Sequence, residues 1–366
     1  MMRLTFSALL AATAIAAPAF AQTQPAQPAV KAQPQPRVIV EKREVQQQRE
    51  QEIARERARM QRDNRVEQTE RVSHTFKIGG SGELQVGNYA GDITITRGDG
   101  NEIRVEAVKT ARARTEEQAR ELLPAVRVEF TERAGRAEAK TIYPSEQFGP
   151  SRQRNVSVTV SYTITAPQGT RLNVRTLAGN VSSTGIKGEL SLVSISGNVR
   201  VVGGARVTTA TSTSGDVEIR DVQSDTPLEA SSTSGNIIVA QSRAPRMELG
   251  TISGVVTIEN VQAEEIEAHS LSGDVNVAFP FAKNGRYELN SHSGNIHIAL
   301  VGNTGFELEA ESFSGNVQSA VTLVDRSGGD DSGRRGRVRR LRGRFGDGTA
   351  LLDITTFSGN VIITKK

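Results

Sequence analysis

One tripeptide, Ser-Gly-Asn or a near variant, returns along this chain about every twenty residues and restricts the folds open to it. Its glycines are Gly179, Gly197, Gly215, Gly235, Gly254, Gly273, Gly294, Gly315 and Gly359. The first eight are separated by 18, 18, 20, 19, 19, 21 and 21 residues, and the last interval is 44. A fixed period of this length is the mark of a solenoid, with one winding per repeat.

In the frame of the glycine, the seventh residue before it is Leu172, Leu190, Thr208, Leu228, Met247, Ile266, Tyr287, Leu308 or Leu352. The fifth before it is always Val, Leu, Ala or Ile, and the third always Ser or Thr. Two residues after it stands Val or Ile in every repeat, from Val181 to Val361. Alternation with period two on both sides of a glycine means strand, corner, strand. Large apolar residues face inward and the small hydroxyls face inward where the coil narrows. At the corner, glycine is expected to supply a positive φ, with the Asn or Asp after it bonding nearby backbone. A single coil buries too few aliphatics to offset the entropy of ordering twenty residues, so the coils must stack. The expected fold is all-β: a β-solenoid of about nine coils, with aliphatic, hydroxyl and Asn/Asp ladders.

The flanks follow from composition. Residues 1–21 read as a secretory signal peptide, with Arg3, an apolar run from Leu4 to Ala17, and Ala19-Phe20-Ala21 before Gln22. No other run is apolar enough for a transmembrane span, so an exported protein of the periplasm or cell exterior is expected. The chain has no cysteine, which excludes disulfides, thiol catalysis, iron–sulfur clusters and lipoprotein acylation. Residues 22–37 form a Pro/Gln-rich linker. Residues 38–72 are dense in charge and predict a helical or disordered stalk, whose thin stripe of Val38, Val45, Ile53, Met60 and Val66 could meet a coiled-coil partner. Residues 73–170 predict an irregular α+β cap, with one short helix from Thr115 to Leu123. Within it, Leu84 to Ile95 fit the coil template around Gly91. The solenoid proper is assigned to 171–366, with an Arg/Gly-rich insertion at 323–348.

The strand ending Ala166-Pro167-Gln168-Gly169, then Leu172-Asn173-Val174, then serial Ser-Gly-Asn/Asp-Val corners, resembles the bacterial β-strand-repeat "putative adhesin" domain, a family of unknown function. The resemblance covers roughly residues 75–366. It implies a single-stranded right-handed β-helix in an exported or envelope protein, and it brings no catalytic set.

The sequence offers no convergent polar set for catalysis. His74, His269, His292 and His297 are scattered, no cofactor is called for, and the tandem glycine-aspartate repeats of calcium-binding solenoids are missing. Glu218, Glu248, Glu265, Glu267 and Glu309 read as scattered outward acids, without the close carboxylate pair of a glycosidase. Two surface features stand out. Two residues before each glycine lies an outward position that is often apolar: Leu177, Ile195, Ile252, Leu271, Phe313 and Phe357, with Tyr89 before Gly91 and His292 and two threonines interrupting. This stripe is either covered by another part of the chain or a contact surface. The insertion, read as a flexible loop, carries Arg326, Arg334, Arg335, Arg337, Arg339, Arg340, Arg342 and Arg344. Its guanidiniums suit polyanions such as lipid phosphate, lipopolysaccharide or acidic polysaccharide; nucleic acid is not an expected partner of an exported chain. The expectation is a non-enzymatic envelope scaffold that binds a polyanion, glycan or protein. An envelope-stress or regulatory interaction module and a β-helix carbohydrate-active enzyme are the alternatives.

Overall fold

The computed structural model describes residues 66–144, 157–324 and 339–365. They belong to one compact unit, Asn64–Lys366; the other, Met1–Asp63, lies outside the described residues, as do the signal peptide, the linker and most of the stalk. The described chain is a β-solenoid. Each coil contributes the strand entering its corner to one 13-stranded sheet and the strand leaving it to a second. Coils are named here by their corner glycine.

Neighbouring coils pair in parallel and in register, so inward residues stack on their equivalents. Leu228, Met247, Ile266 and Tyr287 form one such row, and Val217, Ile237, Val256 and Val275 another. All eight are buried. The Gly91 coil, strands Glu83–Ala90 and Ile93–Gly98, stacks on the Gly179 coil in the same way. The described residues therefore hold ten corner coils rather than nine. The Gly215 coil departs from the template. Its register slips beside Ser191, and Val207, not Thr208, takes the buried position opposite Leu190. The Thr208 hydroxyl instead donates to the Leu190 carbonyl at 3.0 Å.

The corner is built differently from the expectation. Among the corner glycines, Gly91 and Gly179 have positive φ and the rest do not. What demands glycine is the neighbouring coil: a methyl group on Gly197, Gly215, Gly235, Gly254, Gly273 or Gly294 would overlap the carbonyl of the preceding corner glycine. That same carbonyl accepts a hydrogen bond from the inward hydroxyl of the next coil, as from Ser212 to Gly197 at 2.8 Å and from Ser232 to Gly215 at 2.9 Å. The Asn or Asp side chain after the glycine completes the corner. Asn180 Oδ1 accepts from the Asn198 amide at 2.9 Å, Asn198 from Asp216 at 2.8 Å, and Asp216 from Asn236 at 2.8 Å. The left-handed corner lies six residues farther on, at Gly185 (φ 74°), Gly203 (69°), Asp221 (54°), Gln241 (51°) and Asn260 (51°).

Sequence order and stacking order part company at the C-terminal end. The strand Arg286–Ser291 of the Gly294 coil pairs not with the next strand in sequence but with Ala350–Thr356 of the Gly359 coil. That strand pairs on its other side with Phe306–Ser312 of the Gly315 coil. The last coil is thus intercalated between the two before it. The long interval is the excursion this needs. Its described part is not a loop throughout, because Arg340–Phe345 forms a strand antiparallel to Phe306–Ser312. Phe345 stacks on buried Phe306 at 5.3 Å, closing that end of the core.

At the other end, Arg136–Ile142 and Ser157–Pro167 stack in parallel outside the Gly91 coil. Antiparallel strands Arg127–Arg133, Ile103–Ala113 and Val66–Phe76 lie beyond them. Residues 66–72, assigned from sequence to the charged stalk, are therefore strand, since pairing with Ile103–Ala113 outweighs local helix propensity. The helix Glu116–Leu122 is capped by the Thr115 hydroxyl, which accepts from the Gln118 amide. Its exit is held by the buried Lys109 amine, which donates to the Leu123 and Val126 carbonyls and sits 2.9 Å from the Glu70 carboxylate.

Two glycine substitutions separate these roles. Gly197→Ala is expected to cost at least about 2 kcal/mol by overlap with the Gly179 carbonyl. Gly203→Asn, at the left-handed corner where Asp221 and Asn260 already stand, is expected to cost less than about 1 kcal/mol. Denaturant unfolding of both variants measures the difference; equal losses would refute the close-approach account.

Candidate binding face

Because coils pair in register, every outward position of the corner-entering sheet repeats as a column along the stack. The column two residues before the glycine is the stripe expected from sequence, and it is uncovered by the described residues. Tyr89, Ile195, Ile252, Leu271, Phe313 and Phe357 are 45–62% exposed, and Leu177 is half-buried. Intercalation changes its order. Phe357 falls between His292 and Phe313, and the three rings form a stack with centroids 4.9 and 4.7 Å apart and planes within 6°. Each ring covers the face of the next, so edges point outward.

The column six residues before the glycine holds a feature that reading the acids one by one missed. Glu229 is in register with Glu248, Glu248 with Glu267, Glu267 with Glu288, Glu288 with Asp353, and Asp353 with Glu309. Adjacent strands lie about 4.8 Å apart, so Glu248, Glu267 and Glu309 are not scattered but belong to a row of six carboxylates. Glu218 and Glu265 lie outside it. The glycine frame carried the signal, since the same offset yields the same row. Arginines meet it at two points: Arg246 lies 3.3 Å from both Glu265 and Glu267, and Arg342 is ion-paired to Glu309. Asp353, between Glu288 and Glu309, has its carboxyl pushed above the ordinary range, first by partial desolvation and then by those two neighbours, with Arg342 opposing.

Between the two columns runs a strip of smaller residues. Thr211, Ser231, Gly250, Asn290 and Thr355 floor a shallow groove of about 610 Å³, where the His269 ring lies over Gly250. A second groove, of about 810 Å³, lies toward the N-terminal cap beside Tyr89, Tyr143, Leu177 and Ile195. There Tyr89 and Tyr143 are in ring contact at 5.1 Å, and burial raises the Tyr143 phenol.

The arginines of the insertion are divided. Arg326, Arg334, Arg335 and Arg337 lie outside the described residues. Arg339 is exposed, while Arg340 and Arg342 are ion-paired to Glu311 and Glu309. Arg344 is opposite Glu307 on the same strand pair. His269 and His292 both line the first groove, one on its floor and one in its apolar wall, while His297 lies on the other sheet. Among the described residues no group of three His, Asp or Glu side chains is placed to hold a metal ion, and no helix is long and apolar enough to cross a membrane.

The model of the Toastrack DUF4097 family matches residues 82–364. The chain belongs to this family. Among curated proteins no sequence matches. Solved structures similar to this Toastrack chain include one described as a "putative adhesin" from Bacteroides fragilis NCTC 9343, at 13% identity over 80% of this chain and 97% of that one, with a TM-score of 0.39. Another is a "putative lipid binding protein" from Parabacteroides distasonis ATCC 8503, at 16% identity over 80% and 96%, with a TM-score of 0.43. A "putative cell adhesion protein" from Clostridium sporogenes ATCC 15579 aligns at 10% identity over 82% and 100%, with a TM-score of 0.18. Likeness this distant carries no chemistry, which has to come from the face itself.

The carboxylate row makes a pH-dependent prediction. A carboxyl whose pKa is raised by folding opposes folding when ionised, and the penalty vanishes once pH falls below the unfolded value. Asp353→Asn should therefore raise Tm at pH 7 to 8, with the two midpoints converging toward pH 3. Thermal unfolding across that range measures it; a variant less stable at pH 7.5 would contradict the repulsion.

Proposed function

We propose that this Toastrack protein is an exported, non-enzymatic, adhesin-like scaffold that binds a macromolecular partner on the outer face of its corner-entering sheet. The observation that carries this reading is the exposed apolar column, ending in the His292–Phe357–Phe313 ring stack. Six of the large apolar side chains most exposed in the described residues lie in this single row, and contiguous exposed apolar surface marks contact sites. A rigid solenoid suits the role, because its faces are long, flat and held by backbone pairing along their whole length.

Two other readings have less support. A polyanion site on the arginines is weakened by Arg340 and Arg342, whose charges are met by Glu311 and Glu309; Arg334, Arg335, Arg337 and Arg339 remain its candidates. A glycan platform needs open aromatic faces for sugar rings, and the ring stack presents edges. The coiled-coil reading of 38–72 keeps only the segment before residue 66.

A binding screen on lipid, glycan and envelope-protein arrays tests the proposal, using wild type, Leu271→Ser/Phe357→Ser and Arg334→Ala/Arg335→Ala/Arg337→Ala. The expected result is one class of protein ligand lost in the apolar-column variant and kept in the arginine variant. Ligand binding lost in the arginine variant alone would overturn the proposal, and product release from a polysaccharide would overturn the non-enzymatic part.

A further inference from the structure

The face on which that proposal rests also constrains the partner's chemistry, because its two columns run side by side. From the Gly235 coil to the Gly359 coil, one wall of the groove is Thr233, Ile252, Leu271, His292 and Phe357. Over the same five coils, Glu229, Glu248, Glu267, Glu288 and Asp353 run parallel to that wall, two residues beyond the groove floor and outside its lining. The row continues to Glu309, beside Phe313. Four residues of strand separate the columns, about 13 Å at 3.3 Å per residue. The groove floor spans six coils from Thr211 to Thr355, a length of about 24 Å at 4.8 Å per strand.

We propose that this groove takes a cationic amphipathic α-helix from a partner protein, laid along the solenoid axis with its apolar stripe on Ile252, Leu271 and Phe357 and its basic stripe on the carboxylate row. The dimensions agree. An α-helix with side chains is about 10–12 Å across, and about 16 residues cover 24 Å. Its pitch of about 5.4 Å exceeds the coil spacing by about 0.6 Å, a drift of about 3 Å over the length of the groove, so side chains one turn apart stay within reach of successive coils. Small groups at Ser231 and Thr355 keep the floor low on either side of the His269 ring, which covers Gly250.

Charge decides between occupants. Glu229, Glu248 and Asp353 are exposed, and none of them is ion-paired among the described residues. An anionic bilayer or acidic polysaccharide would be repelled by Glu229, Glu248, Glu288 and Asp353, the members of the row outside the two arginine pairs. A second copy meeting this face with its own would add a second carboxylate row to one interface. Lys and Arg on a helix would neutralise the row, and their aliphatic stems would pack beside the apolar wall.

The test uses the intact protein and three labelled 16-residue probes. The first is a Lys/Leu peptide with its leucines on one helical stripe, the second its Glu/Leu counterpart, and the third a Lys/Leu peptide of the same composition scrambled to remove the stripe. Binding is read by fluorescence anisotropy, and each variant's fold by circular dichroism and Tm. The patterned Lys/Leu probe is expected to bind at least tenfold more tightly than the other two. Its affinity should drop at least tenfold in Ile252→Ser/Leu271→Ser and in Glu248→Gln/Glu288→Gln, and its salt dependence should be shallower in the second variant. Equal binding of the Glu/Leu or scrambled probe would overturn the proposal. Loss in the apolar variant without loss in the carboxylate variant would also overturn it, while leaving the contact face standing; indifference to both variants would remove the face as well. No probe binding, together with a dimer in sedimentation that Ile252→Ser/Leu271→Ser dissociates, would replace the helix by a second copy.

Discussion

Everything in this solenoid depends on how closely one corner approaches the next. At each winding a glycine carbonyl is packed against the following glycine so tightly that no side chain fits. The same carbonyl accepts the hydroxyl of the next inward Ser or Thr, and the corner amide accepts the next backbone N–H. Each such bond is worth only about 1 kcal/mol, but the set recurs at most coils and favours a single register. It is broken where Val255 replaces the corner amide and where the buried Thr176 hydroxyl has no partner among the described residues. With the register fixed, inward residues stack into a continuous core and outward residues stack into columns. The columns are the functional consequence, since they turn one residue type, repeated at one offset, into a linear surface.

The stack is not wound in sequence order to its ends. The interval from Gly294 to Gly315 is 21 residues, as in an ordinary step, yet the chain skips one coil position there and fills it last. The return requires the long excursion through Arg340–Phe345, which also covers the terminal edge with a strand rich in arginine. At the other end, later segments stack outside the Gly91 coil and are closed by antiparallel strands bearing many charges. Charged, antiparallel closure at both ends is the usual way to prevent an open parallel stack from pairing with another chain.

The sequence made some of this legible and hid the rest for physical reasons. Hydrophobic alternation and the glycine period gave the coil, its inward rows and the exposed column, because each is a local property repeated in one frame. The reason for the glycines was misread, since steric contact with another coil leaves no trace in local conformational preference. The left-handed corner at Asp221, Gln241 and Asn260 had a signal, in that small or polar residues favour that conformation. Thr208 was misaligned by a bulge, which a fixed offset cannot register. The intercalation, and with it the contact between Phe313 and Phe357, was invisible because spacing cannot say which coil a strand will join. The acid row was visible in the glycine frame, but it emerges only when outward positions are aligned as strictly as inward ones.

The order of the corners can be tested by cross-linking, and the chain's lack of cysteine makes this direct. Adjacent in-register positions lie about 4.8 Å apart and second neighbours about twice that, whereas a disulfide needs Cα atoms within about 7 Å. Cysteines at positions 313 and 357 should therefore oxidise readily to a disulfide in the native protein, and cysteines at 292 and 313 should not. Efficient 292–313 bonding with none between 313 and 357 would mean windings laid down in sequence order, contradicting the stack described here.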